Sequence, residues 1–181
     1  GHGVVVSASG RTAMRAMVAG AAVSGTASVG LSADVPVITS DTEATIGDGA
    51  RINLDNDVGA NALQSVAVAA ASDFYHIGVA GSVSASGTVG VGGGAEIAVV
   101  SPTTRATIGG GTLVAAERDV TLGANGTEDF VGAAASGAVG GVVSLAGGLS
   151  TFALTTHTEA AIGQGSTVDA GGNVAVLASD I

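Results

Sequence analysis

The hexapeptide Ala160-Ala161-Ile162-Gly163-Gln164-Gly165 constrains this chain more than any other stretch, because it occurs three times. Earlier copies read Ala106-Thr107-Ile108-Gly109-Gly110-Gly111 and Ala44-Thr45-Ile46-Gly47-Asp48-Gly49, each with a Thr two residues ahead of it (Thr42, Thr104, Thr158). A second phrase keeps step with the first and begins at Val4, Val66, Val120 and Val174. The distance from this Val to the next Ile is the same every time: Val4 to Ile46, Val66 to Ile108, Val120 to Ile162. The return distance is also the same from Ile108 to Val120 and from Ile162 to Val174, and is longer only from Ile46 to Val66. Ile108 to Ile162, or Val120 to Val174, therefore marks a 54-residue unit, and an eight-residue insertion lies near 53–64. Self-similarity at a fixed period marks a repeat architecture, in which each unit buries its apolar face only against its neighbours.

The register exposes further columns. Gly25, Gly87 and Gly141 share one, Val29, Val91 and Leu145 another, and Ile52, Val114 and Val168 a third; Gly49, Gly111 and Gly165 close the Gly-x-Gly phrase. The expected organisation is a single array over 1–181, with units of about 1–49, 50–111 and 112–165 and a partial unit 166–181. Gly1 and Ile181 fall at arbitrary points of the repeat, as expected of a segment of a longer array. No basic stretch followed by an apolar run marks a secretory leader at its start.

Period-2 alternation at Val4, Val6 and Ala8 reads as a strand. Gly10–Val18, with its counterparts Ser72–His76 and Gly126–Phe130, reads as a loop that enters the next strand at a bulky residue: Met14, His76 or Phe130. Gly/Ala-rich tracts follow at 16–35, 78–100 and 132–154, then the Thr-x-Ala-x-Ile strand, the glycine corner and a short strand. With 31 glycines, three Phe, one Tyr and no Trp, the core must be thin and layered. The expected fold is all-β, a β-solenoid with a right-handed parallel β-helix favoured. Dividing each unit into three coils of about 18 gives about ten coils, a rod of roughly 50 Å at strand spacing. The hexad spacing of Ile162, Val168 and Val174 also fits a left-handed helix, and one wide coil per 54-residue repeat is a third layout.

Composition narrows function. A net charge of −10, with five Arg and no Lys, disfavours nucleic acid and anionic membrane surfaces as partners. The chain has no Cys, so neither a disulfide framework nor a thiolate metal site is available. His76 sits in the column of Met14 and Phe130, His157 in that of Asp41 and Thr103, and His2 is terminal; structural or surface roles are expected for all three. Asp55 and Asp57 have the Asp-x-Asp spacing that hard cations favour, but lack the remaining oxygens of a calcium loop, so a solvated acidic loop is the plainer reading. Glu117 with Asp119 and Glu128 with Asp129 read as charged turns, and Gly90–Gly94 lacks the Lys-Ser/Thr of a phosphate loop. Asn125-Gly126-Thr127 is a glycosylation sequon, a pattern too short to carry weight. Five scattered Arg do not provide the basic residues that β-helical polysaccharide enzymes align with carboxylates, and no catalytic, cofactor or metal site is expected. The uncharged run Val131–Thr156 is long enough to span a bilayer, but its glycines, hydroxyls and missing anchors disfavour membrane insertion.

The segment Thr158–Val176, TEAAIGQGSTVDAGGNVAV, resembles the repeat of very large bacterial filamentous adhesins, the leukotoxin-type and filamentous-haemagglutinin-like exoproteins. Through its copies the resemblance covers nearly the whole chain. It implies an extracellular or surface-anchored, non-enzymatic stalk of right-handed β-helix type. Its partner would be a receptor or glycan on a host or neighbouring cell. The eight-residue insertion and Asn53-Leu54-Asp55, where the third copy has Asp169-Ala170-Gly171, depart from the pattern and put the first corner's geometry in question. Two other functions fit the composition: a filament subunit whose partner is the chain itself, stacked head to tail, and a membrane-active toxin segment.

Overall fold

A computed structural model describes residues 3–54 and 60–181. Asp55, Asp57 and His2 lie outside the described residues. The described residues form strands and turns with no helix. The first repeat supplies β1 (Val4–Ser24), β2 (Ala27–Asp34), β3 (Val37–Ile46) and β4 (Arg51–Ile52). The second supplies β5 (Val66–Ser86), β6 (Val89–Ile108) and β7 (Leu113–Ala116). The third supplies β8 (Val120–Gly140), β9 (Val143–Leu154), β10 (His157–Ile162) and β11 (Thr167–Ala170), and β12 (Val174–Asp180) opens a fourth.

All pairing is parallel, between equivalent strands of successive repeats. One sheet runs β1-β5-β8-β12, a second has β6 between β2/β3 and β9/β10, and a third runs β4-β7-β11. The sequence columns are the ladders: Val4 pairs with Val66, Val66 with Val120, and Val120 with Val174. Ile108 stands between Ile46 and Ile162, Val91 between Val29 and Leu145, and Val114 between Ile52 and Val168.

Two expectations need correction. Partners lie one whole repeat apart, so each repeat contributes one rung to each sheet, and the three short coils per repeat do not form. Three full rungs stack to only about 14 Å, well short of the rod expected from ten coils. The cause is strand length: β1, β5 and β8 each run 21 residues without a break. The expected loop at Gly10–Val18 is part of β1, because period-2 alternation continues through it, with Met14 turned inward and Met17 outward. Val131–Thr156 likewise forms strand, and among the described residues no helix is long and apolar enough to cross a membrane.

β2 and β3 are separate where β6 is continuous. Pro36 stands at the break, opposite Ala98, and cannot donate to a ladder. Its carbonyl still accepts from Val99 N at 2.9 Å, so the sheet is bridged.

The core changes character along the strands. Where three sheets meet, Val66, Val68, Val120 and Leu122 pack against Ala106, Ile108 and Val114. Each aliphatic side chain fully buried there contributes about 1.5–3 kcal/mol. Further along, Phe74 and Phe130 pack with Ala98 and Val100, ring centroids 5.4 Å apart, and Phe152 stacks on Phe130 at 5.4 Å. Beyond the rings only two sheets remain, joined at Gly25, Gly87 and Gly141, and they nearly touch. A Cβ on Gly92 would lie 2.5 Å from Gly137 O, and one on Gly90 would lie 2.6 Å from Val139 O. This part is a two-layer blade with Gly, Ala and Ser inside.

The Gly-x-Gly corners use their two glycines differently. Gly49, Gly111 and Gly165 have φ of 66°, 64° and 72°, the left-handed region that glycine enters freely. Gly109 and Gly163 are needed for closeness between rungs: a Cβ on Gly109 would meet Asp48 N at 2.6 Å. The first corner departs just after this point. Asn53 takes φ 56°, and its amide donates to Ala115 O at 3.2 Å as the chain leaves for the insertion.

Candidate functional site

Where the aromatic waist meets the blade, the interior holds a polar cluster. His76 comes from β5, Glu96 from β6 and Ser150 from β9. His76 is 1% and Glu96 2% exposed. His76 Nε2 lies 3.0 Å from Glu96 Oε1, and Ser150 Oγ donates to Glu96 Oε2 at 2.7 Å. A buried carboxylate is costly unless both oxygens find partners, and here both do. The pocket for that carboxylate is made by missing side chains. A Cβ on Gly78 would overlap Oε1, and one on Gly132 would lie 2.8 Å from Oε2.

The His76–Glu96 pair lies in the second rung, and Ser150 reaches it from the third. Its ladders read Met14–His76–Phe130, Ala16–Gly78–Gly132 and Asp34–Glu96–Ser150. His76 Nδ1 has no hydrogen-bond partner among the described residues. The Ser150 hydroxyl donates to the carboxylate and makes no hydrogen bond to the imidazole. Chemically the arrangement is a strut that ties the two sheets at a fixed register. His76 stands in the column with Met14 and Phe130 that the repeat defines.

A second inward carboxylate sits one rung later, where Glu128 occupies the column of Phe74. Burial, then the hydrogen bond and charge of neighbouring Asp180, push its pKa up to about 7.

The outer surface divides sharply. Near the corners it is charged: Arg105 stands between Glu43 at 3.3 Å and Glu159 at 3.5 Å, one cation shared along a three-rung ladder. This Arg is therefore not scattered, and the repeat register already places the three residues in one column. Exposed pairs of this kind contribute about 0–1 kcal/mol each. His157 lies in β10, its Nε2 3.2 Å from Glu159 Oε2, in the column of Thr103 and Asp41. Outside β1, β5 and β8 a shallow polar groove is lined by Arg11, Asp73, Asn125, Thr127 and Asp129, with Arg11 Nε 3.3 Å from Asp73 Oδ2. Among the described residues no group of three or more His, Asp or Glu side chains is arranged to hold a metal ion.

The blade is the reverse of a globular layer, with small residues inside and aliphatic ones outside. Val29, Leu31, Leu145 and Leu149 project from the β2/β6/β9 face, and Met17, Val23, Val83 and Val139 from the opposite one. On the first face, Gly93 and Gly147 leave a groove of about 530 Å³ between aliphatic rows. The uncharged tracts are visible in the sequence, but the outward direction of their larger side chains is not.

No protein-family model, curated protein or solved structure matches the chain.

Proposed function

We propose that this chain is a non-enzymatic structural segment of a secreted or surface-anchored bacterial fibre. Successive repeats form one wide, right-handed coil each, and the loops and outer faces meet a receptor or glycan on another cell. The observation that supports this reading is the unbroken ladder Val4–Val66–Val120–Val174, which joins four repeats edge to edge by parallel pairing. Stacked edge to edge, each rung is held to the next by many interstrand hydrogen bonds at once, as a shaft requires. Single-molecule pulling from the two termini tests it. Stepwise unfolding, one repeat per step, is the expected trace, and smooth extension without force peaks would discard the shaft.

A second reading, a filament subunit stacking head to tail, is favoured by the strand edges. Among the described residues, β1 presents one free edge along its whole length, and β9 and the end of β8 present the opposite one. Unpaired parallel edges of this length template further pairing. Fibres growing with concentration would support this reading, and a particle of fixed size at high concentration would exclude it.

A further inference from the structure

We propose that the polar groove outside β1, β5 and β8 is a binding site for a neutral saccharide, with Tyr75 at its border. This site rests on the fibre reading for its setting, and gives the receptor or glycan of that reading a place and a chemistry.

Repetition does not produce this patch. Inward columns repeat their chemistry, as Val4, Val66, Val120 and Val174 do. On the outer face at the groove the rungs contribute unlike residues: Arg11 from the first, Asp73 and Tyr75 from the second, Asn125 and Asp129 from the third. In register, Arg11 stands beside Asp73, and Tyr75 stands beside Asp129 two residues further along. Neighbouring polar side chains therefore lie about 4.8 Å apart across the strands and roughly 7 Å apart along them, the scale of one sugar ring with its hydroxyls. Ser9 and Ala71 are small and leave a groove of about 640 Å³, within the range of small-molecule sites.

The side chains suit a polyol. Guanidinium, carboxylate and carboxamide are planar groups that make two hydrogen bonds at once, and so hold adjacent hydroxyls. Arg11 Nε lies 3.3 Å from Asp73 Oδ2 and steadies that carboxylate, leaving Oδ1 for a ligand. Tyr75 is the one tyrosine of a chain with no Trp; it points to the outer face of β5, and its first-rung neighbour is only Ala13. An aromatic ring of this kind covers the C–H face of a sugar while its hydroxyl stays in water. The groups stand on long unbroken strands, so the array is rigid before a ligand arrives.

Other ligands fit less well. Arg11 and Arg15 balance Asp73 and Asp129, so no net charge selects an anion or a nucleic acid. Among the described residues no three His, Asp or Glu side chains are arranged to hold a metal ion. An extended peptide would bind by backbone pairing, which a groove centred on the doubly paired β5 does not offer.

Tyr75 supplies its own readout, since tyrosine emission from this chain comes from that residue alone. The whole chain is titrated with methyl α-mannoside, lactose and cellobiose, and screened on an array of immobilised neutral oligosaccharides. The expected result is a saturable change in emission with at least one neutral sugar, at a Kd on the order of 1 mM for so open a groove. Asp73→Ala and Asn125→Ala should each weaken binding by about tenfold with an unchanged circular-dichroism spectrum. Thr151→Ala, on the sheet that faces the other way, should leave it intact. Absence of binding in both the titrations and the array would overturn the proposal. So would binding that Asp73→Ala and Asn125→Ala leave unchanged, or that EDTA abolishes. A chain that unfolds stepwise under load yet binds no neutral sugar would keep the shaft and lose this site.

Discussion

The carboxylate of Glu96 fills the space that a side chain on Gly78 would occupy: a Cβ built there overlaps Oε1. The neighbouring rungs show two other solutions to the same packing problem. The first pairs Ala16 with the shorter Asp34, and the third pairs Gly132 with Ser150. Side-chain volume is therefore traded between the facing sheets from rung to rung. Gly78→Ala should destabilise the chain by about 1–3 kcal/mol through overpacking. Adding Glu96→Asp, which recreates the first rung's combination, should recover about 1 kcal/mol of that loss. Urea unfolding of the single and double variants measures the coupling, and additive losses would refute it.

Isoleucine truncation should follow a gradient set by rung position. Ile108 is covered by a rung on each side and is 1% exposed, Ile46 is 5% exposed, and Ile162 is only partly buried. Ile108→Ala should cost about 2–5 kcal/mol, Ile46→Ala less and Ile162→Ala least, in proportion to the area each hides. Equal losses at all three, read from denaturant midpoints, would mean that stacked neighbours do not supply the stability.

The ladders were legible because three near-identical phrases at equal distances can align in only one way. Coil number was not. Identical residues give the distance between paired strands but do not say whether a strand bends within a repeat. Met14 and Met17, three apart, hint at a break, yet they simply point to opposite sides of one strand. The His76–Glu96 contact had a readable signal in hindsight. The two long strands fold back near Gly87, and His76 and Glu96 stand at equal distances on either side of Ser86. The inverted blade was harder to foresee. Alternating small and aliphatic residues show that a strand has two faces but not which one another sheet covers.

Glu128 makes stability pH-dependent. Its carboxyl holds its proton more tightly in the folded chain, at about 7 against an ordinary value of 4.5. A raised folded pKa on an acid gives stability that is fully present below 4.5 and is lost as the pH rises through about 7. Unfolding midpoints should therefore fall between pH 5 and pH 8, by an amount that solvent screening keeps small. Glu128→Gln, which cannot ionise yet keeps a donor toward Asp180, should flatten this part of the profile. If the variant and the parent show identical slopes, Glu128 is not the group responsible.

The glycine corners separate two reasons for the same residue. Gly47 has open space around it and no positive φ, so Gly47→Ala should change stability by less than about 0.5 kcal/mol. Gly111 also has room but needs φ of 64°, so Gly111→Ala should cost about 1–2 kcal/mol of backbone strain. Gly109 needs no special φ, yet its Cβ would press into the backbone of Asp48 at 2.6 Å. Rigid backbone cannot give way there as a side-chain tip would. Gly109→Ala should therefore be the most damaging of the three, by parting the first and second rungs at the Gly109 N–H to Ile46 O bond of 2.7 Å. Amide hydrogen exchange reads this directly: protection at Gly109 should collapse in Gly109→Ala and persist in Gly47→Ala. Equal protection in both would show that the corner tolerates a wider rung spacing.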